Sequence, residues 1–229
     1  MTGADAIDVV ALRADLTRRF RTVSRPLRIS ERDVSLLSPA NADDLISEDE
    51  YVQDERLPYW ADLWPSAQIL ANEVAIMRLS GQHVLELGCG LGVVALGAAM
   101  AGAIVTATDY YDDALLFAAL NVAEATGRSI STRMVNWTAL PDDLGKFDVV
   151  LASDVLYEHR YAAMVASAIA RTLVRGGEAI VADPGRIALE EFLEECADRG
   201  LASEADVRPY SDGDIRQTIT LWRLRWKSG

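Results

Sequence analysis

Cysteine and histidine are scarce in this chain, with two of each among 229 residues. Cys89 and Cys196 have no spacing that suggests a zinc site or a disulfide framework, so a reducing, cytoplasmic setting is expected and no metal is. Long apolar runs are missing too. No segment reaches the roughly 18 apolar residues needed to span a bilayer, so no membrane partner is expected. Asp5 and Asp8 sit among the apolar residues of the N-terminus, unlike a secretory signal or an acid-poor transit peptide. Bases are outnumbered, 22 Lys and Arg against 35 Asp and Glu, for a net charge of −13. This argues against broad contact with DNA or RNA, whose affinity for proteins comes from Lys and Arg. The acidity reads first as a solubilised surface and second as attraction to a basic protein.

What is abundant is apolar: 50% of residues are hydrophobic, enough for one full core. Residues 5–20 show helical spacing, and 22–37 read as short strands broken by Pro26. The acids clustered between Asp43 and Asp54 read as a solvated helix or loop. From Gly81 a regular alternation begins: strand 84–87, helix 92–101, strand 104–108, helix 113–125, strand 131–135. Strand 147–152, helix 160–173, a turn at Gly176-Gly177, strand 178–182 and helix 187–198 follow. Strands spaced by helices predict parallel pairing with right-handed crossovers, hence an α/β, doubly wound, Rossmann-like sheet of seven strands. The last two strands, near 203–208 and 217–226, are separated only by a loop and predict an antiparallel edge pair. The expected division is an N-terminal helical and β-hairpin extension over 1–57 and a main domain over 58–229.

The most informative stretch is Val84-Leu85-Glu86-Leu87-Gly88-Cys89-Gly90-Leu91-Gly92, an apolar strand carrying an acid, then three glycines at alternate positions opening into a helix. It reads as a nucleoside-cofactor loop. The third glycine of a dinucleotide-binding loop would fall at position 93, which is Val93. Glu86 would face the negative pyrophosphate of NAD, whereas the sulfonium and ammonium of S-adenosylmethionine are stabilised by a nearby negative field. Glu86 therefore favours S-adenosylmethionine, with S-adenosylhomocysteine as product.

Ligands of such sheets bind beyond the carboxyl ends of the strands. After the second strand comes Asp109, 21 residues past Gly88, where a carboxylate can accept from both ribose hydroxyls. Tyr110 follows and could cover the adenine face. After the third come Asn136, whose amide could read the adenine edge, and Trp137. After the fourth comes Ser153-Asp154-Val155-Leu156-Tyr157, placing a carboxylate and a phenol where a transferred methyl should emerge. Each has a plain alternative, Trp137 in packing, Asp109 in a cap and Tyr157 as a buried tyrosine. Their joint appearance after successive strands carries the functional reading. His159 is a candidate proton relay or a surface histidine, and His83 reads as structural.

With these residues in place, the chain resembles class I S-adenosylmethionine-dependent methyltransferases over residues 81–226, on Glu86, Gly88, Gly90, Gly92 and Asp109. Within them it is similar to the family-16 lysine methyltransferases. That resemblance rests on Asp154-Val155-Leu156-Tyr157, which matches an Asp-x-x-Tyr signature, on Trp137, and on Leu63-Trp64-Pro65-Ser66-Ala67. The run from Pro58 to Pro65 followed by Gln68 is similar to the branch acting on the β-subunit of electron-transfer flavoprotein. The resemblance implies that Trp64, Gly88, Gly90, Asp109, Trp137 and Ser153 contact the cofactor, that Asp154 and Tyr157 shape the acceptor pocket, and that the acceptor is a protein lysine. Residues 1–50 match nothing in it.

Tyr59, Trp60 and Trp64 would suit a wall around a cationic amine, with a core-packing role expected for at least one of them. Asp154 is expected to attract and orient the ammonium rather than act as a strong base. A small-molecule N-methyltransferase, with a nicotinamide-like or other amine acceptor, would share every cofactor residue and differ in having a closed acceptor pocket. A regulatory binding module would lose the acceptor residues Asp154 and Tyr157. A hydride-transferring oxidoreductase conflicts with Val93 and Glu86.

Overall fold

Apolar strands that must be covered on both faces recruit helices to both sides of one sheet. The computed structural model describes residues 7–45 and 58–228. Its seven-stranded sheet is built from β3 (His83–Leu87), β4 (Ile104–Asp109), β5 (Ser131–Met134), β6 (Phe147–Ser153), β7 (Leu173–Asp183), β8 (Leu201–Asp212) and β9 (Ile215–Trp226). The strand order is β5-β4-β3-β6-β7-β9-β8. Strands β3 to β7 run parallel, while β9 lies antiparallel between β7 and β8. The chain order reverses between β3 and β6, the switch point at which such sheets open a crevice beyond their carboxyl ends.

Two further strands, β1 (Thr22–Ile29) and β2 (Arg32–Pro39), form a separate hairpin turned at Ser30, whose φ is 52°. Pro26 does not break β1 as expected: it pairs opposite Ser35 in a two-stranded sheet, where its missing N–H can face away from the ladder. The hairpin is clamped to the main body by the buried Asn121. Its side chain accepts from the Leu37 amide at 2.8 Å and donates to the carbonyls of Leu37 at 3.0 Å and Leu91 at 2.9 Å. Helix α1 (Val9–Arg19) starts at Asp8, whose carboxylate accepts from the Ala11 amide at 3.0 Å. It ends against the main body, where Phe20 packs on Phe117 with ring centroids 5.5 Å apart. Of the acidic run at 43–54, residues 42–45 form a 3-10 turn and the rest lies outside the described residues.

The other helices are α2 (Pro65–Ala75), α3 (Val93–Met100), α4 (Asp112–Thr126), α5 (Tyr161–Thr172) and α6 (Leu189–Asp198). Helix α2 was not anticipated. It opens on Pro65 in its first turn, where a proline loses no helical hydrogen bond, and packs tightly on α3. A Cβ at Gly97 would stand 2.5 Å from the Ala71 carbonyl oxygen. Gly176-Gly177 lies inside β7 rather than in a turn, because a Cβ at Gly177 would meet the Asp148 carbonyl oxygen of β6 at 2.6 Å. The final hairpin is also longer than expected, twelve residues in each strand. Among the described residues no helix is long and apolar enough to cross a membrane, and no group of side chains could hold a metal ion.

Candidate active site

The loop from Gly88 to Gly92 leaves β3 at the switch point and turns into α3. At Gly90 φ is 49°, and a Cβ there would lie 3.0 Å from the Trp60 carbonyl oxygen. At Gly92 φ is 78°, and a Cβ would collide with the Ala118 backbone of α4 at 2.6 Å. Only glycine meets both demands, so the loop is held close to its neighbours with its backbone bare toward the crevice.

That crevice is a cavity of about 640 Å³. Gly88 and Gly90 line it from the loop, and Asp109 and Tyr110 from the end of β4. Asn136 and Trp137 enter after β5, and Ser153, Asp154 and Tyr157 after β6. Tyr59, Trp60 and Trp64 close it from the segment before α2. Glu86, singled out in the sequence, is not in the wall. It is 1% exposed under the loop, takes a hydrogen bond from the Ala95 amide in the first turn of α3, and is pushed well up in pKa by burial. Its Oε2 has no hydrogen-bond partner among the described residues. Glu86 thus lies beneath the loop and holds the start of α3.

Asp109 is also buried, which raises its pKa, but its carboxylate is fixed. The Gly90 amide donates to Oδ2 at 2.9 Å and the Tyr111 amide to Oδ1 at 3.1 Å. The Tyr110 amide also favours the charged form of Asp109. Trp137 faces the loop, its ring 3.3 Å from where a Gly88 Cβ would be, with a buried Nε1 that has no partner among the described residues. Asn136 turns its amide oxygen back to the Thr138 amide at 2.9 Å, capping a short 3-10 turn.

A chain of aromatic rings runs along the cavity from Trp64 to Trp137. Trp64 and Tyr59 meet edge to face at 6.0 Å, Tyr59 and Tyr157 at 5.3 Å, Tyr157 and Tyr161 at 4.9 Å, and Tyr161 and Trp137 at 5.5 Å. Tyr59 is 40% exposed and Tyr157 36%, so the chain of rings forms a rim open to solvent. Trp60 is the member that packs into the core, 9% exposed against Phe117 and Tyr111. Burial and the neighbouring Tyr161 raise the pKa of Tyr157 far out of reach, so it stays a neutral phenol.

Asp154 departs from its expected state. It sits at a φ of 59°, 8% exposed, with its amide donating to the Ala182 carbonyl of β7 at 3.0 Å. Its carboxylate is not free for an incoming cation, because Ser66 Oγ donates to Oδ2 at 2.9 Å and Arg186 Nε to Oδ1 at 2.5 Å. His159 does not line the cavity; its Nδ1 meets Glu191 at 2.9 Å on the surface.

Residues 53–195 match the sequence profile of a family described as lysine methyltransferase. The chain belongs to this family. It is 39% identical over 117 residues to an uncharacterised protein of Mycobacterium tuberculosis, covering 51% of this chain and 41% of that one. It is 33% identical over 115 residues to protein N-lysine methyltransferase METTL21A of Xenopus tropicalis, covering 47% and 53%. To the electron transfer flavoprotein beta subunit lysine methyltransferase of Danio rerio it is 28% identical over 150 residues, covering 58% and 53%. The chain thus spans about half the length of the curated relatives it matches. Its fold is that of magnesium protoporphyrin IX methyltransferase from Synechocystis, solved with S-adenosylmethionine bound. The TM-score is 0.58 at 22% identity, over 81% of this chain and 98% of that one.

The sequence reading gave no role to Tyr161 and Arg186 of the cavity wall, nor to Ser66 behind Asp154. Tyr161 begins α5, four residues after Tyr157. Ser66 lay inside a quoted motif without a role. Arg186 follows the carboxyl end of β7, where the rule that placed the other site residues would also have pointed.

Proposed function

We propose that the chain is an S-adenosylmethionine-dependent N-methyltransferase acting on a lysine side chain of a protein. The observation that carries this is the open aromatic rim from Trp64 to Trp137, with the buried Asp154 joined to its Trp64 end through Arg186, in the same cavity as the glycine loop.

The residues present fit the cofactor. Asp109 would take the ribose hydroxyls, Tyr110 and Trp137 would flank the adenine with Asn136 at its edge, and the Gly88 and Gly90 backbone would pass beneath the methionine part. Burial favours the neutral form of Glu86, whose Oε2 is orphaned under the loop, and a bound cation would favour its ionised form. Ser153 and Trp64 would complete the wall. When bound, S-adenosylmethionine supplies a methyl carbon whose bond to sulfur breaks as the acceptor nitrogen's lone pair bonds to it.

The protein's own work is positioning. A lysine at pH 7 is protonated, and reaching the neutral amine costs about 4.6 kcal/mol from a reference pKa near 10.4. Tyr59, Tyr157 and Tyr161 lower that cost by replacing water around the amine, and their ring faces guide the cation as it arrives. Asp154 and Tyr157 then orient the nitrogen, with a proton lost to solvent through the open rim. The acidic surface favours a basic protein partner over a nucleic acid. Two buried free cysteines accord with a cytoplasmic setting. Incubating the protein with methyl-labelled S-adenosylmethionine and a cell lysate tests the reading. Label on protein lysines supports it, and label confined to low-molecular-weight material replaces it with the small-molecule alternative.

A further inference from the structure

A carboxylate beside a lysine nitrogen works against methyl transfer unless its charge is balanced, because a bare anion in a dry pocket holds the amine as ammonium, which has no lone pair. Two carboxylates of this cavity are paired with arginines. Glu158 is matched by Arg160 at 2.8 Å. Asp154, its side chain only 4% exposed, is matched by Arg186 at 2.5 Å. The turn that delivers Arg186 is itself built for the purpose. Asp183, 1% exposed at the end of β7, accepts from the Gly185 and Arg186 amides, both at 2.7 Å. From there the guanidinium also reaches over the Trp64 ring, with Cζ 5.4 Å from the centroid. Arg186 thereby links the charge of Asp154 to the edge of the aromatic rim, where it is 33% exposed and open to an arriving side chain.

We propose that Arg186 is a positioning and selectivity residue of the acceptor pocket, cancelling the charge of Asp154 so that the pocket holds a neutral amine in preference to an ammonium. The proposal rests on the amine-methylating reading above. Arg186 acts through Asp154 and so differs from a residue that merely braces the loop: removing it should tighten cation binding rather than weaken all binding.

The test titrates the full chain, loaded with S-adenosylhomocysteine, with n-butylammonium as the cation and 1-butanol as its neutral counterpart, followed by tryptophan fluorescence. Arg186→Gln should bind n-butylammonium at least tenfold tighter than the unaltered protein at pH 7, with 1-butanol binding changed less than twofold. Asp154→Asn combined with Arg186→Gln should return the cation affinity to within threefold of the starting value, and Arg186→Lys should stay near it. Cation binding by Arg186→Gln that is no tighter, or a shift of both ligands together, overturns the proposal. The lysate labelling judges the lysine reading separately: label on small amines alone would remove the protein acceptor, and the titration would still decide what Arg186 does.

Discussion

The two ends of the cavity are made from different materials. At the glycine-loop end part of the wall is backbone: Gly88 and Gly90, with Asp109 accepting from the Gly90 and Tyr111 amides and the Trp60 carbonyl in close approach to Gly90. At the Asp154 end the walls are side chains brought together from the segment before α2, the turn after β6, the start of α5 and the turn after β7. A backbone-built end tolerates little substitution and is tied to the fold. A side-chain-built end can change its occupant while the sheet stays as it is, which suits a family whose members differ in acceptor.

The sharpest way to break this contrast is a pair of neighbours. Trp60→Ala should cost about 3–5 kcal/mol of stability, read as a lower urea midpoint, because the ring fills the core beside Phe117. Tyr59→Ala should cost less than about 1 kcal/mol and act mainly on the acceptor KM. Similar stability losses from both would end the division into core and rim. Next in size, Gly92→Ala should destabilise by about 2–3 kcal/mol, since its Cβ would overlap the Ala118 backbone at a positive φ. A thermal midpoint unchanged by that substitution would mean that the loop is not locked to α4.

The next effect is read against pH and concerns Glu86. Burial raises its pKa above the unfolded value, so its contribution to stability is fully present below about pH 4 and is lost as pH rises through the folded value. Glu86→Gln removes that loss, so the stability of the ligand-free variant relative to the parent should grow from pH 5 to pH 8. Equal pH slopes in thermal denaturation would place the carboxylate in a wetter site than the structure does.

How much could be read from the residues follows the same division. The glycine loop and Asp109 are local signals on a fixed strand–turn–helix frame, so they were legible in order. The rim was legible only in part. Tyr59 and Trp60 are adjacent and equally aromatic, and only the packing tells that one faces the mouth while the other meets Phe117. Asp154 announced itself after β6, but its partner lies 32 positions on, across α5 and β7, and no local pattern links the two. Helix α2 was hidden because its first residues were read as a motif rather than as the start of a periodic segment. Pro26 and Gly177 misled for a shared reason: residues that usually break strands are accommodated where an edge is free or two backbones must touch.

The central claim is that one cavity has a cofactor end and an acceptor end that can be altered separately. Calorimetric titration with S-adenosylhomocysteine of the parent protein, Asp109→Ala and Asp154→Asn tests it most directly. The parent should bind, Asp109→Ala should lose about 1.5–3 kcal/mol of affinity with its charge-assisted hydrogen bonds, and Asp154→Asn should stay within threefold while its turnover falls. No binding by the parent, or equal losses in the two variants, would contradict the account.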